Sequence, residues 1–313
     1  MRINAYSDGQ SRRNQKLSPS DRTFVIINGL VLIMLFCLTL YPIIFVLSAS
    51  ISSPMVVNSG DLILLPKDIT WHGYKKIFGE PEIWTGYLNT IFYTVVGTTI
   101  NLLVTIPCAY GLSRRDVPGR NAIMTLFLIT MYFSGGLIPA YLNVKELGLL
   151  HTRTIMLING TVSVYNLIVS RTFFSSSIPW ELHEAARVDG ASDFMTFVKI
   201  ILPLSKPILV VMALYYGVGH WNSYFVAMIF LKERETFPLQ LFLREILLKS
   251  QMASMMIGDS VDAEAAKFMA QQADEANLIK YGVIVVATVP MLAIYPWLQK
   301  FFAKGVMIGS IKG

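Results

Sequence analysis

The sequence predicts an all-α integral membrane protein with six transmembrane helices, and three observations predict it. Of the 313 residues, 54% are hydrophobic and only 15% are charged, whereas a soluble domain carries roughly a quarter charged residues. Six windows of at least 17 residues contain no Asp, Glu, Lys or Arg: 23–60, 83–113, 121–144, 154–170, 207–231 and 281–299. A membrane helix needs about 20 mostly apolar residues, with a range of about 17–25, and one charge at mid-bilayer costs roughly 2.5–3.5 kcal/mol on insertion scales. Third, Lys and Arg gather in alternate connecting segments.

Taken in order, residues 1–22 form a polar, basic N-tail, 23–303 one transmembrane domain and 304–313 a C-tail. The spans are expected at about 24–50, 84–112, 121–142, 152–173, 207–231 and 281–301. The apolar run from Phe24 to Leu47 exceeds the 7–15-residue core of a cleavable signal peptide, so it stays as the first span. An external segment, 51–82, follows with Pro54, Pro66 and Pro81 as breakers and Trp71 and Tyr74 as interfacial aromatics. Pro118-Gly119 marks a tight turn after the second span. Gly135-Gly136 lies near the outer end of the third. The fourth is the shortest and extends past Arg153 and Arg171, whose long side chains snorkel. A polar loop, 175–205, leads to the fifth. The external segment 232–280 is the longest, and its part from Asp262 to Asn277 reads as a surface helix. Pro42, Pro107, Pro139, Pro290 and Pro296 are expected as tolerated kinks.

The basic residues set the orientation. Arg2, Arg12, Arg13, Lys16 and Arg22 in the N-tail share a side with Arg114, Arg115 and Arg120, with Arg171, Arg187, Lys199 and Lys206, and with Lys300, Lys304 and Lys312. That side is strongly positive and the other slightly negative, which places both termini in the cytoplasm. The net charge of +6 is thus a topology signal, and no nucleic-acid partner is expected. Cys37 and Cys108 both fall in spans, which excludes an external disulfide framework and suits small packing residues.

The most informative stretch is the polar loop between spans four and five. Pro179 suits a helix start. Leu182, Ala185 and Ala186 share a narrow apolar side at helical spacing, and Glu181 and Glu184 sit where the helix dipole favours anions. Gly190 can adopt the left-handed conformation that stops a helix. Ser192 can cap a second helix through Phe194, Phe197 and Val198, which Leu202-Pro203 ends. The product is a helix–turn–helix along a membrane face.

Glu184-Ala185-Ala186, three residues, Gly190, nine residues, then Ile200-Ile201-Leu202-Pro203 resembles the EAA loop of permease subunits of binding-protein-dependent ABC importers. Every fixed position of that pattern is present. Asn89-Thr90, Ala109 to Arg114, Trp221-Asn222 and Lys304-Gly305 are similar to the maltose-type sugar permeases. The 232–280 insertion, Asp189 and the Gly309 to Gly313 ending look closer to the branch importing complex oligosaccharides or polysaccharide fragments. The resemblance implies that the loop carries a coupling helix docked in a cytoplasmic ATPase. Glu184 would face basic residues of that partner, Ala185 and Ala186 would pack in its cleft, and Gly190 would set the turn, with Arg187, Asp189, Leu202 and Pro203 completing the motif. It further implies a second homologous permease, two ATPase subunits that hold ATP and Mg, an extracellular or periplasmic solute-binding protein, and a place in the bacterial inner membrane.

This chain itself lacks a Gly-x-x-x-x-Gly-Lys-Ser/Thr phosphate loop and a Gly-x-Ser-x-Gly elbow, so a transport subunit rather than an enzyme is expected, with no cofactor of its own. His72, His151, His183 and His220 show no metal-ligand spacing. An ion-coupled secondary transporter would carry ionisable residues inside its spans, and the six windows have no Asp, Glu, Lys or Arg. For the cargo path, hydrogen bonds plus aromatic stacking suit a sugar. Asn222, with Trp221, Tyr216 and Tyr224, supplies both, and Asn89 is a further candidate; ordinary interhelical packing is the alternative for each.

Overall fold

The computed structural model describes residues 18–256, 279–294 and 296. Among them there is no β-strand, only an isolated bridge between Ser52 and Ile69. The chain divides into two compact units, meeting in sequence at Thr70 and Trp71.

In the first unit, α1 (Pro19–Ser50) is 32 residues long, about 48 Å at 1.5 Å per residue. It starts earlier than expected because Ser18 caps it, accepting from the Asp21 amide at 3.4 Å, and Pro19 takes the first helical position. Residues 19–22 therefore belong to the helix and not to a tail. Its apolar side chains point outward all round, Phe24, Leu30, Met34 and Leu38 among them, as in a helix solvated by lipid. Cys37, expected as a packing residue, is exposed on that surface. Beyond α1 comes α2 (Pro54–Asn58). The chain returns through a serine knot: Ser48 Oγ donates to the Leu64 carbonyl at 2.6 Å, and Ser52 Oγ to Ser48 at 2.7 Å.

The second unit opens with α3 (His72–Gly79) and is organised by α4 (Pro81–Ser113). Three buried clusters line up along α4. Ile83 belongs to one with Trp221, Leu239, Phe242 and Val283. Tyr93 belongs to the next with Val144, Ile155 and Phe230. Ile106 and Tyr110 belong to the third with Leu167, Phe174, Ile201 and Met212. Cys108 packs against that third cluster.

The expected third, fourth and fifth spans are each broken. The third becomes α5 (Arg120–Tyr132) and α6 (Leu137–Glu146), bent by 114°; Gly136, at φ +87°, supplies the turn there. The fourth becomes α7 (Arg153–Ile158) and α8 (Val164–Ser177), separated at Asn159-Gly160. After α9 (Glu181–Val188), α10 (Asp193–Thr196), a π-turn (Phe197–Ile201) and α11 (Leu202–Leu204), the fifth becomes α12 (Lys206–Trp221) and α13 (Tyr224–Phe230). Charge-free composition reports what lipid tolerates but not where the backbone turns. Among the described residues two helices, α1 and α4, are long and apolar enough to cross a membrane, or up to four if α5 with α6, and the helical path Asp193–Leu204 with α12, each count as one span.

Polar side chains on α4 bind backbone groups at these breaks, as an apolar setting demands. Asn101 Nδ2 donates to the Thr161 carbonyl at 2.8 Å, and its Oδ1 meets His220 Nε2 at 2.7 Å. Gly97 leaves room for that imidazole: a Cβ there would lie 2.5 Å from the ring.

The described part of the segment 232–280 packs against α4. After a short 3₁₀ turn (Arg234–Thr236), α14 (Leu239–Met256) buries Leu239, Leu241, Phe242 and Leu243. Leu239 N donates to Thr90 Oγ1 at 2.8 Å, and Arg234 forks onto Glu82 at 2.6 and 2.7 Å. At the place of the sixth expected span lies a shorter apolar helix, α15 (Ile279–Ile294). The surface helix expected at Asp262 to Asn277, the 304–313 tail and the end of the sixth span lie outside the described residues.

Candidate functional site

The motif loop folds as helix, turn, helix. α9 closes in a Schellman cap: the Ala191 amide donates to the Ala186 carbonyl at 2.9 Å and the Gly190 amide to Arg187 at 3.1 Å. That cap needs a left-handed residue after the helix, and Gly190 supplies it at φ +74°. Ser192 then caps α10, accepting from the Met195 amide at 3.2 Å.

The second helix does not end at Leu202-Pro203. Pro203 has no N–H to give the Lys199 carbonyl, so an α-helix would be interrupted there. The π-turn shifts the register just before it, with Leu202 N donating to the Phe197 carbonyl, and the helical path continues to Leu204. The chain then bends by 80° into α12, with buried Ser205 returning its hydroxyl to the Ile201 carbonyl at 2.7 Å.

The faces of α9 differ from a simple alanine stripe. Ala186 is buried within this chain, against the expectation that it packs in a partner's cleft. Glu184, Ala185, Arg187, Asp189 and Gly190 are exposed, and so are the apolar Val188 (87%) and Phe194 (77%) on either side of the turn. Leu202 is half-buried in the third cluster and Pro203 is exposed. Beneath α9, His183 lies between Trp180 (ring centroids 4.9 Å) and Tyr110 (5.8 Å), and Tyr110 stacks on Phe197 at 4.8 Å. Burial pushes the His183 imidazole below its usual pKa, and nearby Arg114 adds to the effect.

An ion-pair network ties the loop to the turn after α4. Arg114 holds Asp116 through Nε at 2.9 Å and through a second, shorter bond, and donates to Asp193 at 2.7 Å. Arg187 reaches Asp116 at 3.2 Å. The bonded Arg114 guanidinium holds the Asp116 carboxyl far below the usual carboxylate range, and Asp116 in turn raises Arg114. Sequence reading quoted Arg114 but not this role. Its partner Asp193 is 79 residues away, so only the fold brings the two together.

The proposed cargo residues divide. Asn222 and Tyr224 line a cavity of about 770 Å³ with Gln240 and Arg244, and the Arg244 guanidinium lies 5.1 Å from the Tyr224 ring centre. Asn222 sits at the break between α12 and α13, its Nδ2 donating to the Val218 carbonyl at 2.9 Å. Trp221 borders the cavity but is buried, its indole N–H bonded to the Ala287 carbonyl at 3.1 Å. Tyr216 is apart from them. Its hydroxyl pairs with Thr105 at 2.7 Å and accepts from the Ser163 amide. Asn89 is buried too, clamping the Glu235 and Phe237 carbonyls at 2.7 and 3.0 Å. Tyr216 instead borders a second cavity of about 700 Å³, with Asn159, Tyr165 and Tyr215; sequence reading missed Arg244, which gave no motif signal.

Comparison with known proteins agrees with the family that the motif resembles. Residues 83–308 match the family described as binding-protein-dependent transport system inner membrane component. Protein LplC of Bacillus subtilis is 38% identical over 292 residues, covering 93% of this chain and 96% of that protein. The polygalacturonan/rhamnogalacturonan transport system permease protein YtcP of the same organism is 39% identical over 282 residues, covering 90% and 96%. A chain in the crystal structure of a bacterial ABC transporter involved in the import of the acidic polysaccharide alginate superposes with TM-score 0.80 at 36% identity, over 92% of this chain and all of that one. This chain therefore belongs to the inner-membrane permease components of binding-protein-dependent, ABC-type transport systems, a transport subunit and not an enzyme.

Proposed function

We propose that this chain crosses the inner membrane six times, both termini cytoplasmic, as one of two homologous permease halves of an ATP-driven importer of oligosaccharides or polysaccharide fragments. The broken helices pair as spans: α5 with α6, α7 with α8, α12 with α13. A solute-binding protein delivers cargo from outside, and two ATPase subunits carry the ATP and Mg. Glu184, Ala185, Val188 and Phe194 form the docking face for the ATPase, and Gly190 holds the turn between them. The single observation that carries this reading is the exposure of Val188 and Phe194 beside Glu184, on a loop otherwise fastened by Arg114 and the Tyr110 stack. Large apolar side chains held out on a braced scaffold suit a protein partner.

When the ATPase pair closes, force enters through α9. Because Arg114 joins both Asp116 and Asp193, the loop and the end of α4 move as one body. A rigid-body switch of the spans follows. Arg244 beside Tyr224 and Asn222 offers a cation, a stacking face and an amide, a set suited to an acidic sugar chain. The test is the assembled importer with Glu184→Lys and Gly190→Val together. Cargo-stimulated ATP hydrolysis and uptake should vanish while membrane insertion persists; normal uptake in that double variant overturns the docking role.

A further inference from the structure

Behind α9 lies a small cavity of about 170 Å³ that the transport reading does not use. Arg114, Arg115, Arg120 and Arg171 border it, together with His183 and Ser175, and its lining holds no carboxylate. Arg114 is neutralised by Asp116 and Asp193. The other three are not: among the described residues Arg115, Arg120 and Arg171 form no ion pair. Arg120 gives one Nη to the Arg114 and Ser113 carbonyls, at 2.7 and 3.4 Å. Arg171 gives its Nε to the Leu112 carbonyl at 3.0 Å. Both guanidiniums are thereby held in place with donors left over. Both ring nitrogens of His183 are buried without a hydrogen-bond partner.

Three gathered guanidiniums repel one another, so the arrangement gains from an anion. A carboxylate satisfies one guanidinium fork, whereas a tetrahedral phosphate presents oxygens to several. Basic pockets between membrane helices are suited to lipid phosphates, and α5, which starts at Arg120, exposes Leu126, Ile129 and Met131. The cavity is far smaller than those near Asn222 and Tyr215, which fits a headgroup and not an oligosaccharide. We propose that this pocket binds a phosphate group, carried by an anionic lipid headgroup or free in solution, and so braces α9 from behind.

The experiment is native mass spectrometry of the detergent-purified importer containing this full chain. One arm titrates phosphatidylglycerol against phosphatidylcholine, and the other titrates inorganic phosphate. The wild type should take up one phosphate-bearing adduct per copy of this chain, and Arg115→Gln/Arg171→Gln should weaken it at least ten-fold. Arg115→Gln alone, an exposed side chain whose loss leaves the fold intact, should weaken it several-fold, and Lys67→Gln should not change it. Saturation by phosphatidylglycerol alone assigns a lipid headgroup; saturation by inorganic phosphate assigns a free anion. Equal adducts on wild type and both arginine variants, or no selective adduct in either arm, overturns the site. Uptake is not read, so the outcome is independent of the docking role of α9.

Discussion

The motif loop and the Asn222 cavity are built on opposite principles. The loop is fastened by specific polar contacts: Arg114 binds two carboxylates, Gly190 and Ser192 complete helix ends, and Ser205 closes the bend. Among what it leaves exposed are two large apolar side chains, Val188 and Phe194. In the cavity the walls are largely apolar and the polar groups at the surface, Asn222, Gln240 and Arg244, are few. On the proposed function the loop transmits force, which needs stiffness, and the cavity passes cargo, which needs weak, replaceable contacts. The distinction can be broken experimentally, because a change in the loop should stop all transport whereas a change in the cavity should only re-rank cargoes.

The largest effect belongs to the loop. Gly190→Val forces a β-branched residue to φ +74°, costing about 1–2 kcal/mol or more, and should lower uptake at least ten-fold for every cargo. Membrane abundance should remain near wild type, as checked by immunoblot of the membrane fraction. Arg114→Met, next in size, leaves Asp193 without a cation and Asp116 with only the exposed Arg187, and should cost about 1–2 kcal/mol once solvent screening of these partly exposed carboxylates is allowed for, read as a drop in melting temperature in detergent. If that temperature is unmoved, the loop is not fastened as described.

How far each region was legible follows from the range of its interactions. The loop could be read because its geometry is local: a left-handed residue is needed just after the Asp189 cap of α9, which favours Gly190, and a hydroxyl is needed at the next cap, which Ser192 provides. The membrane character of α1 and α4 was legible for the same reason, since hydropathy is a property of contiguous residues. The break after Ile158 was not, because it is held from far away in sequence: Asn101 reaches the Thr161 carbonyl. Ala186 was assigned to a partner because composition gives a helix face but not which side of it this chain covers.

In the cavity, Arg244→Gln should reduce uptake of an acidic oligosaccharide several-fold more than that of a neutral one of equal length. Equal loss for both would remove Arg244 from cargo selection and leave it a structural partner of Tyr224.

The smallest effect, and the one that sharpens the contrast most, concerns pH. His183 titrates below its usual value because it is buried between Trp180 and Tyr110 beside Arg114. Between that lowered value and about 6.5, the unfolded chain binds more protons than the folded one. Stability therefore falls as pH drops through this window and is fully restored above it. Asp116 stays ionised throughout, because Arg114 holds its carboxyl far lower, so the network does not titrate there. Melting of the wild type should thus drop by a few degrees more between pH 7.5 and 5.5 than melting of His183→Phe, a ring that keeps the stack and carries no proton. If the two pH profiles run parallel, the imidazole is not held neutral beneath α9, and the loop's stiffness rests on Arg114 and the Gly190 cap alone.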